Sequence, residues 1–202
     1  MLDGPPIAAG SYDVTVTAGA GFDVTVTRTL VVEPRDLGVT NVQWADRTYD
    51  GTTDAIATDA GLDPSNLVDG DDVALTTPLV GAFAASDVGD HAVSASFELE
   101  GDDASNYALV APAAGSATIT ARQLTLADAT VETRIYDATD VATVNGTLQG
   151  VVNGDDVAAE GSFEDVDAGT DVPVSTTLTG PDAGNYVLSR LQAWSGRSSP
   201  RR

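Results

Sequence analysis

The chain is written twice. Tyr49 and Tyr136 stand 87 positions apart, as do Arg35 and Arg122. "VDGDDVAL" at 68–75 returns as "VNGDDVAA" at 152–159, and "GAFAASDVGD" at 81–90 as "GSFEDVDAGT" at 161–170. "GDDASNYAL" at 101–109 returns as "GPDAGNYVL" at 180–188. The matches keep one order, and their spacing shrinks only where loops would shorten. A copied unit of roughly 85 residues is too long for a solenoid repeat and of the right size for a small domain in tandem. Whatever the chain folds into, it has to be a fold that works twice.

Within each copy the hydrophobic period is two. In "HAVSASFEL" Val93, Ala95, Phe97 and Leu99 alternate with Ser94, Ser96 and Glu98, which predicts a half-buried strand. In "QLTLADATVETRI" Leu124 and Leu126, then Val131 and Ile135, alternate with a bulge between the two pairs. "SATIT" at 116–120 reads as a further short strand. Asp-Gly, Gly-Asp and Asn-Gly turns separate these runs, and neither copy carries a helical period. The pattern predicts an all-β chain of tandem Ig-like β-sandwich modules, with a barrel as the alternative.

With so few aromatics, the placement of Tyr49 and Tyr136 has to be structural. Each sits at a corner, before Asp-Gly at 50–51 and Asp-Ala at 137–138. There an aromatic ring can cover the open end of a thin core while Asp50 or Asp137 caps the turn. Gly51 supplies a left-handed turn position at no steric cost; Ala138 has to turn differently or carry strain.

These ordered motifs resemble the YDG repeat domain. The resemblance is carried by "RDLGVTNVQWADRTYDGTT", "LVDGDDVAL" and "DDASNYAL", and again by "RQLTLADATVETRIYDAT", "LQGVVNGDDVA", "FEDVDAG" and "LTGPDAGNYVLS". It implies a non-catalytic surface module of large secreted bacterial proteins, including filamentous-haemagglutinin-type adhesins, because the shared positions are turn and core residues. The organisation expected is then repeat 1 at 35–121 and repeat 2 at 122–189, the latter without its last strand. Residues 1–34, with "SYDVTVT" and "FDVTVT", resemble the closing strands of a preceding Ig-like β domain. Residues 190–202, "RLQAWSGRSSPRR", hold four of the nine arginines and read as a disordered tail, as a truncated or frameshifted reading frame would give.

Composition narrows the chemistry. There is no Cys and no Lys, which removes disulfides, thiolate metal sites, Schiff-base chemistry and Lys–Asn isopeptide cross-links. Hydrophobic residues make up 42% of the chain, so the net charge of -22 belongs to a folding protein and not to an acidic disordered segment. That charge opposes binding to nucleic acid or to an anionic membrane. It fits either salt adaptation or calcium binding. No apolar stretch approaches the ~18 residues of a membrane span. "MLDGPPIAAG" has neither the charged nor the apolar region of a signal peptide, so the chain is either cytoplasmic or a piece of something longer. The resemblance implies the second, a segment of a longer exported protein at work outside the cell or on its surface.

The calcium candidates are Asp69, Asp71 and Asp72 in the first copy and Asp155 and Asp156 in the second. Calcium takes six to eight oxygens, and each cluster offers two or three carboxylates plus backbone carbonyls, without matching an EF-hand loop. The competing expectation is a hairpin turn whose aspartates face water, with no cofactor at all. His91, the one histidine, stands at the head of a strand with no nucleophile motif beside it and reads as a surface or loop residue. Trp44 is expected in the core, Trp194 exposed, and "NGT" at 145–147 a sequon in form only. The sequence thus predicts a structural or adhesive repeat whose partners are neighbouring β modules of the same chain. The alternative is an accessory carbohydrate- or protein-binding module of a secreted enzyme.

Overall fold

A computed structural model describes residues 8–17, 25–112, 114–189, 194–196 and 198–199. Among these residues there is no α-helix, only strands and two 3-10 turns at Ala104–Asn106 and Ala183–Asn185. The chain is all-β, as the period of two requires.

It opens with β1 (Gly10–Thr17) and β2 (Thr25–Val32), an antiparallel pair in unbroken register from Gly10↔Val32 to Thr17↔Thr25. The first copy then runs through β3 (Arg35–Trp44), β4 (Arg47–Thr48), β5 (Asp54–Leu62), β6 (Ala74–Leu75) and β7 (Val80–Phe83). It continues through β8 (Gly89–Ala95), β9 (Leu99–Glu100), β10 (Tyr107–Val110) and β11 (Gly115–Thr120). The second copy comprises β12 (Arg122–Val131), β13 (Arg134–Ile135), β14 (Val141–Ala142), β15 (Val144–Gln149), β16 (Ala158–Phe163), β17 (Val172–Thr179) and β18 (Tyr186–Leu188). Two further strands follow, β19 (Trp194–Gly196) and β20 (Ser198–Ser199).

The copies pair alike. β10 lies parallel to β3 with Tyr107 opposite Arg35, and β18 lies parallel to β12 with Tyr186 opposite Arg122. β3 pairs antiparallel with β5, and β12 with β15, each with a register break. The bulge expected after Leu126 is present, between Ala127 and Thr130. At the matching breaks Asn41 has φ 56° and Asp128 φ 52°. Short polar side chains tolerate the left-handed region that a bulge demands, which is why Asn and Asp stand there.

Two short strands are described beyond residue 189. The backbone of β19 pairs antiparallel with β17, and β20 pairs parallel with β13, as β11 does with β4 in the first copy. Backbone hydrogen bonding asks for no sequence motif, so these two strands pair whatever their side chains. Nothing is described of the side chains there, so the expectation for Trp194 lies outside the described residues.

By contacts the chain divides into two compact units, and the division does not follow the duplication. One unit holds residues 1–45, 54–84 and 92–117; the other holds 46–53, 85–91 and 118–202. The core of the first includes Leu37, Ala55, Ala57, Phe83, Val93, Tyr107 and Ala117, all buried. Trp44 is half-buried there, stacked on Phe97 at 5.7 Å between ring centroids, with the backbone of Gly81 and Gly115 against its ring. The second unit buries Tyr49, Ile119, Leu124, Leu126, Ala142, Phe163, Val172 and Tyr186. The first core is built largely from Ala, Val and Leu, whereas the second buries three aromatics, Tyr49, Phe163 and Tyr186.

Candidate functional site

The Tyr-Asp-Gly corner is held by a clasp of three side chains. Asp50 Oδ1 accepts hydrogen bonds from Thr52 N and Thr52 Oγ1, each at 2.9 Å. Arg47 pairs with Asp50 at 2.8 Å and donates to Thr52 Oγ1 at 2.9 Å and to the Thr52 carbonyl. The second copy repeats the clasp. Asp137 accepts from Thr139 N and Oγ1 at 3.0 and 2.9 Å, and Arg134 pairs with Asp137 at 2.9 Å. The hydrogen bonds from Thr139, side chain first and then backbone, hold the Asp137 carboxyl below its ordinary range. At Asp50 burial works the other way, but the Thr52 hydrogen bonds and Arg47 outweigh it and the shift is again downward.

The backbone inside the two corners is nearly the same. Gly51 has φ 81° and Ala138 φ 63°, so of the two alternatives open to the second copy, it adopts the strained one. The two corners therefore present the same loop, one at the expense of a left-handed alanine.

The second recurring feature joins two motifs that lie far apart in sequence. Tyr107 Oη donates to Asp71 Oδ2 at 2.7 Å and accepts from Val68 N at 2.9 Å. Tyr186 Oη donates to Asp155 Oδ2 at 2.5 Å and accepts from Val152 N at 2.9 Å. Beside each tyrosine, the following aspartate of the Gly-Asp-Asp turn is pinned through its backbone. Asp72 N donates to Asp103 Oδ2 at 2.9 Å, and Asp156 N to Asp182 Oδ2 at 2.8 Å. Gly101 (φ 115°) and Gly180 (φ 111°) come so close to the Asp72 and Asp156 carbonyls that neither has room for a Cβ. "GDD" and "G-x-D-A-x-N-Y" are thus two halves of one lock.

The lock divides the calcium candidates into two sets. Asp71 and Asp155 are half-buried and occupied by tyrosine hydroxyls, where the sequence reading has them facing water or an ion. Asp69, Asp72 and Asp156 are exposed. Among the described residues no group of three carboxylate or imidazole side chains is placed to hold a metal ion. His91 is half-buried on β8 with Nε2 2.7 Å from the Asp87 carbonyl, and Asn145 Nδ2 donates to Glu132 at 2.9 Å.

One further side chain enters the second lock. Tyr49, from the first Tyr-Asp-Gly corner, is 4% exposed. Its hydroxyl donates to the same Asp155 Oδ2 at 2.9 Å, and its ring meets Tyr186 edge-on at 5.4 Å and 79°. Arg122 Nη1 reaches the Tyr49 carbonyl at 3.4 Å while Nε donates to the Gly150 carbonyl at 2.7 Å. Val88 N donates to Oδ1 of the buried Asn185 at 3.0 Å. Burial, then the hydrogen bond to Asp155 and its negative charge, push the Tyr49 phenol up to about 12. Tyr186 is raised by the same two causes, burial first.

The sequence places Tyr49 correctly at a corner over a core, but not which core: the ring covers the lock of the following copy. Asp155 and Tyr186 are the Tyr49 partners it misses, and Asn185 is the partner of Val88. The signal for them is that "GDD" and "NY" recur together in both copies.

A family model described as the YDG domain matches residues 33–115 and again 120–193. No curated protein and no solved structure matches the chain.

Proposed function

The chain belongs to the YDG domain family, and from that premise we propose that it is a non-catalytic structural segment of a large bacterial surface or secreted protein, in which YDG repeats space or present a binding region. The observation that carries this reading is the seat of Tyr49. The residue that defines the repeat is used to grip the Asp155–Tyr186 lock of the next repeat, through a charge-assisted hydrogen bond and an aromatic contact. The coupling engages both the hydroxyl and the ring of Tyr49, while Arg47, Asp50 and Thr52 bond one another beside it. The acidic surface fits a module that stays hydrated and separate from other chains. An adhesin of the filamentous-haemagglutinin type is the context this reading favours, with the carbohydrate- or protein-binding accessory module as the alternative.

The test exploits the absence of cysteine. Spin labels at the exposed positions Ile56 and Val141, introduced as Ile56→Cys and Val141→Cys, report the distance between a site on each repeat. A spacer gives one narrow distance distribution. A broad distribution, with the repeats as beads on a flexible thread, contradicts the proposal. Saturable binding of the whole chain to a soluble glycan or matrix protein favours the alternative.

A further inference from the structure

The lock of the first repeat has the same parts as that of the second, without the tyrosine. Tyr107, Asp71 and Val68 reproduce the hydrogen bonds of Tyr186, Asp155 and Val152. Ala9 N donates to Asn106 Oδ1 at 2.8 Å, as Val88 N does to Asn185. Where Tyr49 fills the second lock, the first has a cavity of about 340 Å³, lined among others by Val68, Asp71, Asn106, Tyr107 and Arg35. Two neighbours show the difference. Val152 is half-buried, with Gly51 close against it, while Val68 is 44% exposed. Arg122, which reaches the Tyr49 carbonyl, is half-buried, while its counterpart Arg35 is exposed on the cavity wall.

The matching plug is also present. The Tyr136 corner carries the same Arg-Asp-Thr clasp as the Tyr49 corner and the same left-handed third residue, so its loop is already in the docking conformation. Ile135 beside it is 66% exposed, and Tyr136 itself is half-buried. Among the described residues no hydrogen bond to Tyr136 Oη is found, in contrast to Tyr49.

We propose that the Asp71–Tyr107 cavity is a docking socket for the Tyr-Asp-Gly/Ala corner of another YDG repeat, and that a second copy of this chain fills it with its Tyr136 loop. The incoming hydroxyl donates to Asp71, the ring meets Tyr107 edge-on, and Arg35 reaches the tyrosine carbonyl. Plug and socket are different surfaces on one chain, so the contact is head-to-tail and lets copies add beyond a dimer, as a ring or an open string. This rests on the reading of the chain as a repeat segment, since the occupant is another repeat.

The test uses the full chain in sedimentation equilibrium, up to the millimolar range that a tethered neighbour experiences. The wild type is expected to associate progressively, beyond the dimer. Tyr136→Phe, which keeps the ring and removes the hydroxyl, is expected to weaken association about tenfold, as loss of one charge-assisted hydrogen bond implies. Val68→Arg blocks the socket at an exposed position and Tyr136→Ala removes the plug; circular dichroism confirms that each is folded. Each alone is expected to stay monomeric, and their mixture to give a one-to-one heterodimer and nothing larger. A wild type that stays monomeric throughout, or association untouched by either variant, overturns the socket. Narrow spin-label distances without association overturn the socket and leave the spacer reading standing; association with broad distances does the reverse.

Discussion

Exchanging glycine and alanine at the two corners is expected to move stability in opposite directions. Ala138 sits at φ 63°, a region that costs a residue with a Cβ roughly 1–2 kcal/mol. Glycine avoids that strain but loses about 0.5–1 kcal/mol more backbone entropy on folding. Ala138→Gly therefore stabilises by about 0.5–1 kcal/mol. The reverse change, Gly51→Ala, loses the same amount and adds a contact. The new Cβ would lie 3.1 Å from Val152 Cγ1, tighter than ordinary packing, so the neighbour has to give. With overpacking in the range of about 1–3 kcal/mol, the total loss is about 2 kcal/mol. Gly154 separates the two causes: it has φ 103° and nothing within 4 Å of its would-be Cβ, so Gly154→Ala reports strain alone. Urea unfolding followed by circular dichroism gives each value. For a chain of this length about 1 kcal/mol corresponds to ~2–4 °C in melting temperature, so the signs are readable in a thermal scan as well. If Ala138→Gly destabilises, or if Gly51→Ala costs no more than Gly154→Ala, the backbone reasoning for the corner is wrong.

Three further outcomes follow from the same contacts. Burial and Asp155 push the Tyr49 phenol up to about 12 from an ordinary 10.0, so the stability it contributes is fully present below pH ~10 and disappears as pH rises toward 12; absorbance of the phenolate should show more than one tyrosine ionising late, Tyr49 and Tyr186 among them, and Asp155→Asn should bring these two earlier. Gly101→Ala pushes a Cβ into the Asp72 carbonyl at φ 115° and should destabilise by at least about 2 kcal/mol in denaturant, whereas a neutral effect would mean the two halves of the lock are not in contact. Calcium at millimolar concentration should leave the melting temperature where matched ionic strength leaves it, because Asp71 and Asp155 are engaged by tyrosines; a rise specific to calcium would show that the ion competes for them.

The fold was legible where the sequence is local and repeated. Alternation in "HAVSASFEL" gives buried Val93 between exposed residues, and the broken alternation between Leu126 and Val131 gives the bulge at Ala127–Thr130. The corner itself was legible, since Tyr-Asp-Gly-Thr writes its own turn. The lock was not, because its halves are separated by 36 residues in the first copy and 31 in the second, and no periodicity connects them. In a chain with 25 aspartates, nothing local distinguishes Asp155 from its solvated neighbours. Duplication also shows what was copied, not what packs together. The boundary between compact units runs through the first copy, placing 46–53 and 85–91 with 118–202, because Tyr49 and Val88 find their partners at Asp155 and Asn185.

The central claim is that the tyrosine of one repeat grips the carboxylate of the next, and a double-mutant cycle on Tyr49→Phe and Asp155→Ala measures that grip directly. The hydroxyl–carboxylate contact of 2.9 Å predicts a coupling of about 1–3 kcal/mol between the two substitutions, in the range of hydrogen bonds to charged groups. The same cycle with Tyr136→Phe in place of Tyr49→Phe should show none. Additivity of Tyr49→Phe and Asp155→Ala to within about 0.5 kcal/mol, the behaviour of independent sites, would contradict the account.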